Sequence, residues 1–225
     1  MPAPIRVAHR ARRAWRTGEP ELRLVPKLCS PDLWSVDIGA NTGVYTWHMA
    51  RWSAGVAAFE PQPAHAAVLR RAFGRRVRVE EVALSDRPGT ALLRVPVARH
   101  EDGRATIEAG NTLAGAAATD HVVPCRCLDS YDLPPTGLVK IDVEGHELAV
   151  LRGARALLER DRPHLIVEAE ERHRPEALAS LCDLLRPIGY RPHTCRDGDL
   201  VPLEADPRSG AAGNNFVFLA GASPA

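Results

Sequence analysis

The chain has 225 residues, room for one sizeable α/β domain but not comfortably for two. Hydrophobic residues make up 45% and charged residues 25%, and the net charge is +1, which argues against a bulk electrostatic pull toward nucleic acid or an anionic membrane. No run approaches the roughly 20 apolar residues of a membrane-spanning helix.

Of the 29 basic residues only Lys27 and Lys140 are lysine, so a lysine at 140 invites a reason. The five cysteines (Cys29, Cys125, Cys127, Cys182, Cys195) are odd in number and include no C-x-x-C pair, which fits reduced thiols in a cytoplasmic protein. The first 30 residues, starting MPAPIRVAHRARRAWR, form a basic extension without the apolar core of a signal peptide. They read as a solvated or packing segment, with an amphipathic helix on a membrane surface as the alternative.

The main domain is expected over 31–222. LWSVDIG (33–39) reads as a buried strand, followed by a helix with Tyr45, Met49 and Trp52 on one face. GVAAFE (55–60) is a second strand ending in an acid. PAHAAVLRRAF (63–73) is a helix opened by Pro63, and RVRVEEVALS (76–85) a third strand. GTALLRVPVA (89–98) and HVVPCRCLDSY (121–131) are strands or extended segments. Between them, 99–120 is irregular and rich in Gly and Ala, as expected of a mobile loop on the acceptor side. GLVKIDVEG (137–145) is a strong strand. Leu148, Leu151, Ala154 and Leu158 then mark one helical face. PHLIVEAE (163–170) is another strand, Leu178, Leu181, Leu184 and Leu185 another helix, and GYRPHTC and NNFVFLA the last strands. Strands alternating with helices predict an open, doubly wound, mostly parallel sheet of about seven strands, with helices on both faces.

In such sheets ligands bind at the carboxyl ends of the strands, near the point where strand order reverses. The first strand-to-helix loop is Asp37-Ile38-Gly39-Ala40-Asn41-Thr42-Gly43, a G-x-N-x-G with Val44 where a dinucleotide fingerprint would have its third glycine. Asp37 would oppose a pyrophosphate and suit a cationic group such as an α-ammonium. Glu60 ends the second strand, where an acid can accept both hydroxyls of a ribose. Together they point to S-adenosylmethionine rather than NAD. A bare strand–helix turn is the structural alternative for the glycines alone.

VDIGANTGVYT, FEPQP, EVALSDRPG, LVKIDVEGHELAVLRGARALL, IVEAE and NNFVFL together resemble the FkbM family of S-adenosylmethionine-dependent methyltransferases, over about Leu33 to Leu219. The KIDVEGHE…VLRGA block is the most specific part. The resemblance implies a class I, Rossmann-like methyltransferase sheet with an antiparallel last strand. It also implies methyl transfer to a hydroxyl of a sugar, polyketide or other natural product. From the residues and the resemblance together, Gly39 and Gly43 admit the methionine end and ribose, and Asp37 faces the ammonium. Asn41 and Thr42 offer polar contacts, Glu60 grips the ribose, Pro61 shapes the adenine slot and Ala83 meets the adenine edge. Ser85 and Asp86 are further candidates, with a simple turn as the alternative.

An alcohol acceptor must lose a proton, which calls for a base or a metal. Lys140, Asp142 and Glu144 share one strand face at period two, and with His146 they are expected to cluster beside the methyl group. His146 suits a base at neutral pH, Asp142 could orient it, and Lys140 could balance the acids or polarise the acceptor. His146 as a solvated helix-start residue and Lys140 as a purely structural ion pair stand beside these readings. Mg²⁺ on Asp142, Glu144 and Glu168 or Glu170 is open but not favoured. His173 is a second candidate base, with a surface histidine as the expected alternative, and Asn111-Thr112-Leu113 could touch the acceptor or be linker.

A nicotinamide oxidoreductase fits poorly, since neither Tyr45 nor Tyr131 opens a Tyr-x-x-x-Lys. A nucleic-acid methyltransferase fits poorly because Asp142-Val143-Glu144-Gly145 stands where an Asn/Asp-Pro-Pro-aromatic tetrad would. An N-methyltransferase of similar fold and a non-catalytic S-adenosylmethionine binder stay open. The acceptor's identity and the oligomeric state are not legible.

Overall fold

The computed structural model describes residues 2–97, 104–111, 113–203 and 213–221; Ala98 at the end of an expected strand, residues 99–103 and Thr112 of the expected acceptor-side loop, and the end of the domain past 221 lie outside them. In chain order the elements are α1 (Ala3–Thr17), α2 (Val25–Leu28), β1 (Trp34–Ile38), α3 (Val44–Trp52), β2 (Gly55–Phe59), α4 (Pro63–Phe73), β3 (Val77–Glu80), β4 (Ala83–Leu84), β5 (Gly89–Pro96), β6 (Ala118–Arg126), β7 (Thr136–Ile141), α5 (Glu147–Arg152), α6 (Arg155–Asp161), β8 (His164–Glu168), α7 (Ala177–Leu185), β9 (Tyr190–Arg196), β10 (Asp199–Pro202) and β11 (Asn215–Ala220).

Eight strands form one sheet in the order β10-β9-β11-β8-β7-β1-β2-β3. From β3 to β8 all neighbours are parallel. β11 slots between β8 and β9 antiparallel to both. This is the expected class I methyltransferase sheet with its antiparallel last strand. One short edge strand is added, β10, which folds back on β9. The chain leaves β1 for β2 on one side and returns to β7 on the other, so the switch point lies at the carboxyl ends of β1 and β7.

Period-two alternation sorts the central strands onto two cores. Val36, Ile38, Phe59, Val139, Ile141 and Val167 face α5, α6 and α7. Val56, Ala58, Leu138, Ile166 and Val217 face the other way, with Met49 of α3, Leu69 of α4 and the N-terminal residues Leu22, Leu24, Val25 and Leu28. The basic start of the chain is therefore the cover of one sheet face. α1 lies on α3 and α4 with Val7 and Ala11 buried, while its arginines line the outer side. No helix among the described residues is long and apolar enough to cross a membrane.

Three expectations are corrected. The third strand stops at Glu80, and β4 joins β6 and β5 in a separate small sheet. Trp52 ends α3 and is exposed instead of sharing the buried face of Met49. The helix behind β7 is two helices. At Gly153 an added Cβ would stand 2.0 Å from the Ser85 carbonyl oxygen, so the chain presses there against the β4 turn. It restarts as α6, whose amides at Ala156 and Leu157 are capped by the Asp129 carboxylate.

Candidate active site

The turn after β1 is built by backbone conformations that side chains resist. Gly39 has φ +76, and a Cβ there would fall 1.8 Å from the carbonyl oxygen of Asp142. Asn41 also sits at positive φ (48°) and Gly43 at 87°. The turn is pinned to β2, for Gly39 N–H donates to Phe59 O at 3.0 Å. Asn41 N–H donates to Glu60 Oε2 at 2.7 Å and Gln62 N–H to Glu60 Oε1 at 2.9 Å. Glu60 is buried, and burial pushes its carboxyl up to about 7. The two amides pull it back, while Asp37 and Asp142 push it further up.

Two cavities meet over this turn and share Gly39, Asn41 and Asp142. The first has apolar walls from Phe59, Val82, Leu84, Leu93 and Ile107, with Glu60, Pro61 and Ala83 also at its surface. The second carries Asp37, Thr42, Tyr45, Lys140 and, from the N-terminal segment, Gly18 and Glu19, among apolar residues such as Leu22 and Val44. An apolar slot with a carboxylate, joined to a cavity that carries three acids and one lysine, suits a ligand with a flat base, a diol and cationic centres. The N-terminal wall of the second cavity was missed from sequence. No motif marks it, and only the packing of α1 brings it there.

Lys140 is fully buried on the Leu138 face of β7. Its Nζ lies 3.3 Å from Asp142 Oδ2 and 5.0 Å from the centre of the Tyr45 ring. Tyr45 in turn donates its hydroxyl to Glu19 Oε2 at 2.7 Å. Burial works against the lysine's charge, but Asp142, Glu19, Glu168 and Asp37 outweigh it and raise its pKa. Asp37 pairs in register with Lys140 across β1 and β7. It accepts the hydroxyl of Thr46, and burial raises its carboxyl to about 6 against the pull of Thr46 and Lys140.

β7 ends at Ile141, and the following residues turn in different directions. Glu144 takes φ +54 and Gly145 φ +105, while Glu147 Oε1 accepts the amides of Val143 and Gly145, both at 3.1 Å. Lys140, Asp142 and Glu144 therefore do not continue on one strand face. Asp142 borders both cavities. His146 borders neither: its Nε2 is 2.9 Å from Ser85 Oγ and its Nδ1 2.8 Å from Glu108 Oε2. Ser85 also donates to Asp86 Oδ1 at 3.2 Å, so these two sequence candidates serve the link between β4 and α5. Asn111 Nδ2 and Thr106 Oγ1 both donate to the Glu144 carbonyl, at 2.8 and 2.9 Å.

The Glu144 carboxylate meets two groups from the end of β8. Glu144, Glu168 and His173 each bring a ligand-type atom within 4.8 Å of the others. His173 is not on the surface as expected; it is buried, 7% exposed, and its Nε2 lies 3.1 Å from Glu144 Oε2 and 3.6 Å from Glu170 Oε2. Burial, then Arg172 and Arg104, lowers its imidazole to about 4, so it is neutral at pH 7. Burial and Asp142 raise Glu144 to about 7, and the same two causes raise Glu168. Glu170, the other carboxylate read from sequence, is taken up by Asn214 at 2.6 Å and by Arg172.

The comparisons with known proteins bear on this architecture. The FkbM methyltransferase domain matches residues 37–192. No match is found among curated proteins. Among solved structures, the methyltransferase FkbM from Methylobacillus flagellatus KT aligns with TM-score 0.57 at 18% identity. That alignment covers 96% of this chain and 54% of the other, so this chain spans about half the length of that protein. An O-methyltransferase from Bacillus cereus, in complex with SAH, aligns with TM-score 0.51 at 16% identity over 96% of this chain and 89% of that one. At these identities the likeness concerns the class I methyltransferase fold; the domain match over 37–192 goes further, and by it the chain belongs to the FkbM methyltransferase family.

Proposed function

We propose that the chain is an S-adenosylmethionine-dependent O-methyltransferase acting on a hydroxyl of a small molecule, with a glycosyl group or other natural product as the acceptor class. The observation that carries the cofactor reading is the buried Glu60 carboxylate at the edge of an apolar slot, beside the turn of Gly39. The B. cereus O-methyltransferase, a fold relative in complex with SAH, supports the reading.

S-adenosylmethionine brings a methyl group on an already activated sulfonium, so the protein's task is alignment and proton removal. Glu60 accepts the ribose hydroxyls, and Phe59, Val82 and Leu84 hold the base away from water. Asp37 and Asp142 set a negative potential that favours the ammonium and sulfonium. Asp142, where the two cavities join, orients the acceptor hydroxyl. Lys140 holds Asp142 in place through their ion pair. Low aromatic content, 5%, favours a hydroxyl-rich acceptor over a planar one. A cytoplasmic setting and no nucleic-acid partner complete the reading.

Calorimetric titration with S-adenosylhomocysteine and with NAD, on the wild type and on Glu60→Ala, tests it. Binding of S-adenosylhomocysteine that collapses in the variant, with no NAD signal, is the expected result and opens a screen of sugar and polyketide hydroxyls. Binding of NAD alone overturns it.

A further inference from the structure

Glu144, Glu168 and His173 form a donor set with the marks of a cation site. They come from the loop after β7, from the last residue of β8 and from the loop that follows it, and lie together where those neighbouring strands end. Glu144 Oε2, Glu168 Oε2 and both ring nitrogens of His173 are buried and make no hydrogen bond among the described residues. The contact of His173 Nε2 with Glu144 Oε2, at 3.1 Å, has the distance of a hydrogen bond but not its geometry. Buried polar atoms are almost always paired, because leaving one unpaired costs about 1–3 kcal/mol. Three residues that each bring such an atom within 4.8 Å of the others call for a shared partner, with one of the two His173 ring nitrogens facing it.

The chemistry of the set identifies the partner. The donors are two carboxylate oxygens and an imidazole, and the compensating charge is +2. Around an ion with bonds of about 2.1 Å, neighbouring ligand atoms stand about 3 Å apart and opposite ones about 4.2 Å. The cluster's spread of 4.8 Å or less accommodates that with small closure. An imidazole among the ligands favours a first-row transition metal over Mg²⁺, which takes oxygen. The neighbouring acids are committed elsewhere, Asp142 to Lys140 and Glu170 to Asn214 and Arg172, while Arg104 and Arg172 act on the cluster electrostatically. The Glu144 backbone is itself held by Asn111 and Thr106 through its carbonyl, which fixes the ligand-bearing turn.

We propose that Glu144, Glu168 and His173 bind a divalent transition-metal cation of the Mn²⁺ type beside the methyl-transfer site. Glu168 follows Val167, which pairs with Ile141 just before Asp142, so the ion sits next to the junction of the two cavities. Its use, to hold and acidify the acceptor hydroxyl, rests on the O-methyl reading; the site itself does not.

The test is made on the full chain, stripped with chelator and free of methyl donor and acceptor. Mn²⁺ is titrated while electron paramagnetic resonance follows the free ion. The wild type is expected to take up one Mn²⁺ per chain. His173→Ala and Glu168→Gln are expected to weaken uptake by roughly tenfold or more, and His173→Asp, which restores a ligand, to recover part of it. Retained S-adenosylhomocysteine binding shows that the variants are folded. A measurement on wild type alone guards against variants that do not fold: pulsed resonance of the bound ion should show coupling to one imidazole nitrogen. No stoichiometric uptake, no nitrogen coupling, or uptake unchanged in folded variants overturns the proposal. Failure to methylate any hydroxyl, with uptake intact, would instead count against the O-methyl reading.

Discussion

Glu60 Oε2 accepts the backbone amide of Asn41 at 2.7 Å, so the acid that ends β2 is locked to the turn that follows β1. One carboxylate thus shapes the glycine turn and faces the cavity. Its carboxyl, pushed up to about 7 mainly by burial, is partly protonated near neutrality in the free protein. Ribose hydroxyls donate to the ionised form, so binding should release a proton. S-adenosylhomocysteine affinity is expected to rise with pH up to about 7 and flatten above it. Glu60→Gln should lose most of that dependence and bind more weakly by about 2 kcal/mol, roughly thirtyfold in Kd. Calorimetry across pH 5.5–8.5 checks both.

The same group sets a stability trend in the free protein. Its folded pKa of about 7 exceeds the ordinary carboxylate value, so the folded state holds the proton that the unfolded state releases. The stability it contributes is complete at acid pH and lost as pH rises through about 7. Glu60→Gln should flatten that part of the profile, read by denaturant unfolding at pH 5 and pH 8.

Gly39→Ala is expected to damage the fold rather than the chemistry alone. A Cβ would sit 1.8 Å from the Asp142 carbonyl oxygen, at a φ of +76. Gly115 also has positive φ, 77°, but open space around it, so Gly115→Ala should cost only the conformational term of about 1–2 kcal/mol. Thermal unfolding should show a larger loss for Gly39→Ala. Equal losses would mean that the turn and Asp142 can move apart freely.

Much of this site is legible in the sequence because it hangs on strand ends. Buried parallel strands read as apolar runs, and Gly39, Glu60 and Asp142 follow directly from where those runs stop. His173 reads as a surface residue because its immediate neighbours, Glu170, Glu171, Arg172 and Arg174, are charged; its partner Glu144 is 29 positions away and turned by its own positive φ. The split of the third strand escapes for a related reason. Ala83 and Leu84 look like a continuation of β3, yet they pair with Cys125 and Arg126, a contact that local pattern cannot report. His146 is expected beside the methyl group because the sequence puts the strand end near Glu144-Gly145, whereas β7 stops at Ile141 and the backbone turns at Glu144.

His146 bridges Ser85 and Glu108 and faces neither cavity. Its contacts tie the start of α5 to the β4 turn and to the segment that carries Asn111, so a positioning role is the one to test against the catalytic one. His146→Ala should lower stability by about 1–2 kcal/mol through two lost hydrogen bonds, with little change in S-adenosylhomocysteine affinity. A general base would instead lose roughly a hundredfold or more in kcat at unchanged stability. Unfolding and single-turnover rates on the same variant separate the two.

Lys140 gives the sharpest electrostatic test. It is fully buried, 3.3 Å from Asp142, and shares its neighbourhood with Asp37 and Glu168. Asp142 keeps 32% of its side chain exposed, so losing its partner costs less than for a fully buried pair, about 1–3 kcal/mol. Lys140→Met keeps the length of the side chain and loses the charge, so the cost should be electrostatic. The acids it leaves behind can escape the penalty by taking up protons. The destabilisation measured by denaturant unfolding should therefore be largest at pH 8 and shrink toward pH 5. A loss independent of pH would mean that the lysine's stem, not its charge, holds β1 and β7 together.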